Sequence, residues 1–223
     1  IVTLARRSRL LLIALTASLA GCSSVTDILA PAEIDPPAEL QDLTESVNTA
    51  TQWSRDTGVG VDEQHLNLVL AYHQGDLYVA DAEGQVSALN ADTGATYWST
   101  NLEVPASGGP GVGEGQVFIG TSDAEVIALA ADNGSERWRS RVSSEVLAAP
   151  VAAFGRVVVR TIDGKVIGLD AKTGEQQWMY EREIPVLTLR GTSTPVLSGR
   201  AVLCGMAGGK LVALDVVSGD LLW

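Results

Sequence analysis

After residue 49 the chain alternates apolar and polar positions in short runs, broken at regular intervals by Gly, Asp and Asn. The stretch from Arg156 to Trp178, RVVVRTIDGKVIGLDAKTGEQQW, shows the unit. Two Val/Ile-rich runs flank Asp163-Gly164, and a third run follows Lys172-Thr173-Gly174. Short β-branched runs bounded by turn residues predict strands, and no stretch sustains a helical period of 3.6. A fourth run lies upstream in LAAPVAA, Leu147 to Ala153. The pattern predicts four antiparallel strands joined by tight hairpins.

The unit recurs. GQVSALNADTGATYW (84–98), AEVIALAADNGSERW (124–138), GKVIGLDAKTGEQQW (164–178) and GKLVALDVVSGDLLW (209–223) spell one pattern four times. Trp98, Trp138, Trp178 and Trp223 are separated by 40, 40 and 45 residues. Gly94, Gly134, Gly174 and Gly219 stand four residues before each Trp, and Leu89, Leu129, Leu169 and Leu214 stand nine before. Four strands every forty-odd residues predict the blades of an all-β, β-propeller fold, with about four blades in this chain. Each Gly is expected to close a turn that needs positive φ. Each Leu and its alternating partners are expected to face the following blade, and each Trp to dock on a neighbouring one as packing, given the area an indole buries.

Trp53 breaks the rhythm. ATQWSRDTG, Ala50 to Gly58, resembles an outer strand whose three partners are missing. A strand over residues 50–56 is expected to complete the last blade of a full ring and so remove exposed edges. Trp223 stands in mid-strand, which predicts a partial propeller over residues 49–223, part of a larger ring.

The first residues change the picture of where such a ring would sit. Arg6, Arg7 and Arg9 precede an apolar core, Leu10 to Ala17, and small residues follow. Residues 1–21 read as a secretory signal, too short for a comfortable membrane span. It ends in Leu19-Ala20-Gly21-Cys22, with Ser23 next. Residues 22–48 hold three of the eight prolines and several acids and read as a flexible tether.

The formal charge of −12 argues against a nucleic-acid binder, which needs clustered Lys and Arg, and otherwise speaks for solubility. The search for catalytic chemistry finds little. His65 and His73 lie eight apart with no evident third metal ligand, so a solvated or turn role is expected. Cys204, in AVLCG, reads as a small buried hydrophobe. Asp92, Asp132 and Asp163 sit in turns, where they are expected to accept backbone hydrogen bonds. SGGPGVGEGQ, Ser107 to Gln116, is flanked by strands, lacks the helix N-terminus a phosphate would use, and reads as an inter-blade loop running into a strand.

The L-x-x-x-(T/S/N)-G-x-x-x-W blades resemble the PQQ-type repeats of quinoprotein-like propellers, with Ala130 a departure where Asn90 and Asp170 stand in other copies. Leu19 to Cys22 resemble a bacterial lipobox. Together with the Pro-rich tether, the orphan Trp53 segment and LTLRG (Leu187 to Gly191), they make the whole chain similar to the BamB family, the lipoproteins of the outer-membrane β-barrel assembly machinery. The resemblance implies cleavage before Cys22 and acylation of that residue, with delivery to the outer membrane, facing the periplasm. Two or more acyl chains would anchor it, at roughly 0.8 kcal/mol per buried methylene. It further implies an eight-bladed ring, no catalysis and no cofactor or metal. Docking to the POTRA domains of BamA would run through Leu187, Leu189 and Arg190, beside other components of the assembly complex. Leu187 and Leu189 would point the same way in an extended stretch, and apolar anchors beside a fork donor suit a small hot spot. Unfolded outer-membrane proteins are further expected clients, by strand pairing at blade edges. The alternative is a periplasmic PQQ-dependent dehydrogenase, which would need a carboxylate base beside a Ca²⁺-bound quinone.

Overall fold

The computed structural model describes residues 38–40, 47–61, 66–182 and 193–223. The chain divides into two units, Ile1–Thr49 and Ala50–Trp223. In the first, the described residues are exposed and lie outside helix and strand. The sixteen strands among the described residues all belong to the second.

The strands form four sheets in simple meander order. The first blade comprises β2 (Ala71–His73), β3 (Asp76–Ala80), β4 (Gln85–Asn90) and β5 (Thr96–Asn101). The second comprises β6 (Ala106–Gly113), β7 (Gln116–Thr121), β8 (Glu125–Ala130) and β9 (Glu136–Arg141). The third comprises β10 (Val151–Ala153), β11 (Arg156–Arg160), β12 (Lys165–Asp170) and β13 (Gln176–Glu181), and the fourth β14 (Val196–Ser198), β15 (Ala201–Met206) and β16 (Lys210–Asp215). The pairing within each blade is antiparallel. A short β1 (Asn67–Leu68) adds in parallel to the inner edge of β6, a strand the alternation does not announce.

Buried side chains sit between successive sheets. Tyr78, Val86, Ala88 and Trp98 of the first blade pack with Val117, Ile119, Ile127 and Leu129 of the second. Phe118, Val126, Ala128 and Trp138 meet Val157, Val159, Ile167 and Leu169, and Val158, Val166 and Trp178 meet Val202, Cys204, Val212 and Leu214. The recurrent leucines therefore face the preceding blade, not the following one as expected. Alternation defines two faces of a strand without saying which neighbour each meets; the sense of winding around the axis decides that.

The tryptophans hold successive blades together. Trp98 Nε1 donates to the Ala131 carbonyl at 2.9 Å, Trp138 Nε1 to Ala171 at 2.9 Å, and Trp178 Nε1 to Val216 at 3.0 Å. Each acceptor lies two residues after the Leu of the next blade, in the turn that leads to its outer strand. The indole face covers the Gly of that same turn: an added Cβ on Gly134, Gly174 or Gly219 would collide with the ring of Trp98, Trp138 or Trp178. Positive φ at these glycines (72°, 74° and 78°) is thus one of two reasons for Gly. Burying roughly 200 Å² of indole contributes about 5 kcal/mol per joint before ordering costs, and the hydrogen bond adds about 1 kcal/mol net.

The turns themselves are capped by the residue after the Leu. Asn90 Oδ1 accepts from the backbone N–H of Asp92 and Thr93, Asp170 Oδ1 from Lys172 and Thr173, and Asp215 Oδ1 from Val217 and Ser218. The capping expected of Asp92 and Asp132 falls to this position instead; in the second blade, where Ala130 stands there, Asn133 Oδ1 takes the N–H of Ser135. Asp163 behaves differently again, accepting from the Thr161 and Ser143 hydroxyls and pairing with Lys165 at 3.0 Å. Asp215 also receives Arg200 Nε at 2.7 Å.

SGGPGVGEGQ runs into a strand as expected, but that inner strand, β6, already begins at Ala106, so the residues read as connecting loop belong to it as well. Its glycines serve close backbone approach: a Cβ on Gly108 would press on the Val146 and Ala148 carbonyls, and one on Gly113 would lie 2.8 Å from the Ala152 carbonyl. The inner strands of the second and third blades converge there.

Two outcomes test this packing. Gly115 (φ 70°) has open space around its missing side chain, whereas Gly134 (φ 72°) lies under Trp98. Gly115→Ala should cost only the left-handed penalty, about 1 kcal/mol, and Gly134→Ala about 2 kcal/mol more by denaturant unfolding. Hydrogen bonds from Arg200 and from the Ser218 and Val217 amides hold the Asp215 carboxyl down at about 2. Its stabilising contribution is full above the ordinary aspartate value near pH 4 and is lost as pH falls toward 2. Arg200→Ala should raise the Asp215 midpoint in a carbon-detected NMR titration.

Candidate partner-docking rim

Up-and-down strands send their connections to two opposite rims. One rim carries the β2–β3 type turns and the Gly turns under the tryptophans. The other carries the turns between second and third strands, residues 81–84, 121–124 and 161–164, and the connections between blades. Leu187, Leu189 and Arg190, expected to bind a partner, fall in sequence between β13 and β14. Those three residues, like Cys22 and His65, lie outside the described residues. Arg182 and Ser193 bracket the stretch.

The described part of this rim is polar and internally paired. Arg139, on the outer strand β9, bonds Glu125 at 3.1 Å, Glu136 at 3.0 Å and the Leu102 carbonyl at 3.2 Å. Its hydrogen bonds to Glu136 and Glu125 raise its pKa further. Val104, Ser122, Asp123, Arg139, Arg141 and Ser144 line an open cleft beside it. Asp163 ties the β11–β12 turn to Ser143 of the preceding connection, and the Thr161, Lys165 and Ser143 hydrogen bonds lower its pKa against the opposing effect of burial.

One residue breaks the repeat. At the end of β11, Arg160 takes the place held by Ala80, Gly120 and Gly205 in the other blades. It is 7% exposed, and its Nη1 donates to Ser193 Oγ at 2.8 Å; that hydroxyl in turn donates to the Gly205 carbonyl at 3.2 Å. Arg160 Nε is buried without a partner, and burial lowers the guanidinium pKa. Sequence reasoning passed over this arginine, although aligning the four blades against one another would have exposed it.

The residues singled out for chemistry are apart. Cys204 is fully buried against the third blade, its thiol pushed up to about 11 by burial, as a small hydrophobe would sit. His73 is exposed at the end of β2. Among the described residues no group of His, Cys, Asp and Glu is arranged to hold a metal ion.

At the N-terminal side, Trp53 repeats the inter-blade joint. Its Nε1 donates to the Ala91 carbonyl at 3.0 Å and its ring covers Gly94, while Arg55 donates to the Gly94 carbonyl at 3.1 Å. Thr100 and Ser140, two residues past their own tryptophans, bond the Gly134 and Gly174 carbonyls in the same manner. Beyond Arg55, Val59 donates to the buried Asp81 carboxylate and Ala82 to the Gly60 carbonyl.

Comparisons with known proteins agree with this architecture. A family model described as outer membrane protein assembly factor BamB matches residues 44–118 and 82–223. The chain is 57% identical over 212 residues to the outer membrane protein assembly factor BamB of Pseudomonas aeruginosa, covering 95% of this chain and 54% of that protein. It is 53% identical over 222 residues to that of Alkalilimnicola ehrlichii, covering 99% of this chain and 56% of the relative. The chain thus spans about half the length of the curated relatives it matches. The crystal structure of BamB from Moraxella catarrhalis superposes with a TM-score of 0.63 at 32% identity, over 72% of this chain and 48% of that one. A quinohemoprotein alcohol dehydrogenase from Comamonas testosteroni reaches a TM-score of 0.57 at 18% identity, over 71% of this chain and 34% of that one, a likeness of fold alone. Repeated blades locked by Trp on Gly, the Trp53 segment seated in the same way, and these matches along the chain lead to one conclusion: the chain belongs to the family of outer membrane protein assembly factor BamB.

Proposed function

We propose that this protein is a non-enzymatic scaffold of the outer-membrane β-barrel assembly complex, anchored by lipid at Cys22 and facing the periplasm. It holds BamA through Leu187, Leu189 and Arg190 and so assists the insertion of outer-membrane proteins. The observation that carries the reading is the 57% identity with a relative named as an outer membrane protein assembly factor, along 95% of this chain. The geometry supports it. Rigid blades joined by buried indoles present their connections on a fixed rim, which lowers the ordering cost of binding. The signal-like residues 1–21 and the tether over 22–48 fit a protein held at a membrane surface by acyl chains.

In the complete ring, the Trp53 segment serves as the outer strand of the last blade. Its support is the seat it occupies on the first blade, the same seat that Trp98, Trp138 and Trp178 occupy on theirs. Blade edges offer unpaired backbone groups to which unfolded clients would add as strands. The likeness to quinohemoprotein dehydrogenases carries the fold and lends the PQQ-enzyme alternative nothing further.

The test is a double substitution, Leu187→Glu with Arg190→Ala, in the complete protein. It should lower co-purification with BamA by at least about tenfold, the loss expected of paired hot-spot residues. Unchanged co-purification would refute the assigned contact.

A further inference from the structure

The joints between blades repeat in their apolar parts and differ at one polar seat. It lies where the first residue of a blade's second strand meets the Gly turn of the next blade. Between the second and third blades Gln116 fills it, donating from Nε2 to the Ala171 carbonyl at 2.7 Å, with Phe118 buried two residues further along. Between the third and fourth the seat holds Arg156, which donates to the Gly155 carbonyl at 3.0 Å and pairs with Asp170 at 3.6 Å. Between the first and second the same two places hold Asp76 and Tyr78. Asp132 stands on the facing turn, where Lys172 and Val217 stand in the later blades.

A carboxylate cannot donate as Gln116 does, so Asp76 leaves the Ala131 carbonyl to Trp98. Between these blades lies an open cleft of about 340 Å³, lined by Asp76, Tyr78 and Asp132 with His73 and Gln74. No lysine or arginine lines it, and neither carboxylate makes a hydrogen bond or ion pair among the described residues. Tyr78 is an independent sign. It is 3% exposed and its ring packs on Trp98 with centroids 6.1 Å apart, yet its hydroxyl finds no hydrogen-bond partner among the described residues and faces the cleft. A phenol buried to that degree ordinarily has a partner. Burial and the charges of Asp76 and Asp132 raise its pKa, so it stays a neutral hydroxyl. What the three groups share is a capacity to accept. A metal ion does not suit them: among the described residues no group of His, Cys, Asp and Glu is arranged to hold one, and the cleft is far wider than a bare ion needs.

We propose that the cleft between the first and second blades binds an organic cation, whose primary ammonium or guanidinium group donates to Asp76, Asp132 and the Tyr78 hydroxyl. Such a group presents donors only, the complement of this lining, and the two carboxylates supply its counter-charge. Because the cleft is open to water, a free cation binds modestly, with a Kd on the order of 1 mM.

The experiment titrates the complete protein with agmatine and follows the Tyr78 ring and the backbone amides of Gly115 and Asp132 by NMR. Agmatine should shift these signals saturably, and n-butylurea, a neutral counterpart, should not. Asp76→Asn together with Asp132→Asn should weaken binding at least about tenfold. Tyr78→Phe, which installs the ring that Phe118 carries at the next joint, should weaken it about threefold, with melting temperatures level. Nα-acetyl-arginine methylamide separates the sources of the cation. Binding as tight as agmatine's supports the site as a receptor for a basic side chain of a partner protein, and binding of agmatine alone supports it as one for free amines. No saturable shift up to about 100 mM agmatine would overturn the proposal. So would equal shifts with n-butylurea, saturation by Ca²⁺ at lower concentration than agmatine, or agmatine binding that all three substitutions leave unmoved.

Discussion

The contact on which the rest depends is an indole laid over a glycine turn. A four-stranded sheet can bury neither face alone, so each blade must find its neighbour at a fixed distance and tilt. Apolar faces supply adhesion but little direction. The Trp supplies direction: its N–H must reach one carbonyl, and its ring must lie where a side chain is missing. The same pair of demands is met at Ala131 and Gly134, at Ala171 and Gly174, and at Val216 and Gly219. Repetition of sequence is the trace of repetition of this joint. Small residues opposite each Trp across the sheet complete it: Ala88, Ala128 and Gly168 pair with Trp98, Trp138 and Trp178, and a bulge after each shifts the register of the outer strand.

Joints of this kind hold successive blades in one relation to each other. They also explain why departures from the repeat are informative. Ala130 lost a capping side chain, and its turn makes do with Asn133. Arg160 replaced a small residue at a cost in desolvation, and the only side chain it holds among the described residues is Ser193.

Much of this could be read from the letters. Period, strand number, turn positions and the docking of Trp on a neighbour all follow from spacing, because each is a local consequence of Gly, Asp and β-branched residues at set intervals. What could not be read depends on winding or on distant backbone. Leu129 points to the preceding blade because of the handedness of the stack. Gly108 and Gly113 serve the approach of β6 to backbone some forty residues on, so the start of their run looked like a loop. The pairing of β1 with β6 is parallel and only two residues long, too short to leave a pattern. For the candidate contact the balance reverses: Leu187, Leu189 and Arg190 are legible as a motif and lie outside the described residues.

The central claim is that the blades are joined by buried indoles, and native-state hydrogen exchange of the indole N–H groups in the complete protein addresses it directly. The account predicts that Trp53, Trp98, Trp138 and Trp178 exchange only through global unfolding, with the same opening free energy as the slowest backbone amides of β8 and β12. Indole exchange that outruns those amides through local opening would contradict it.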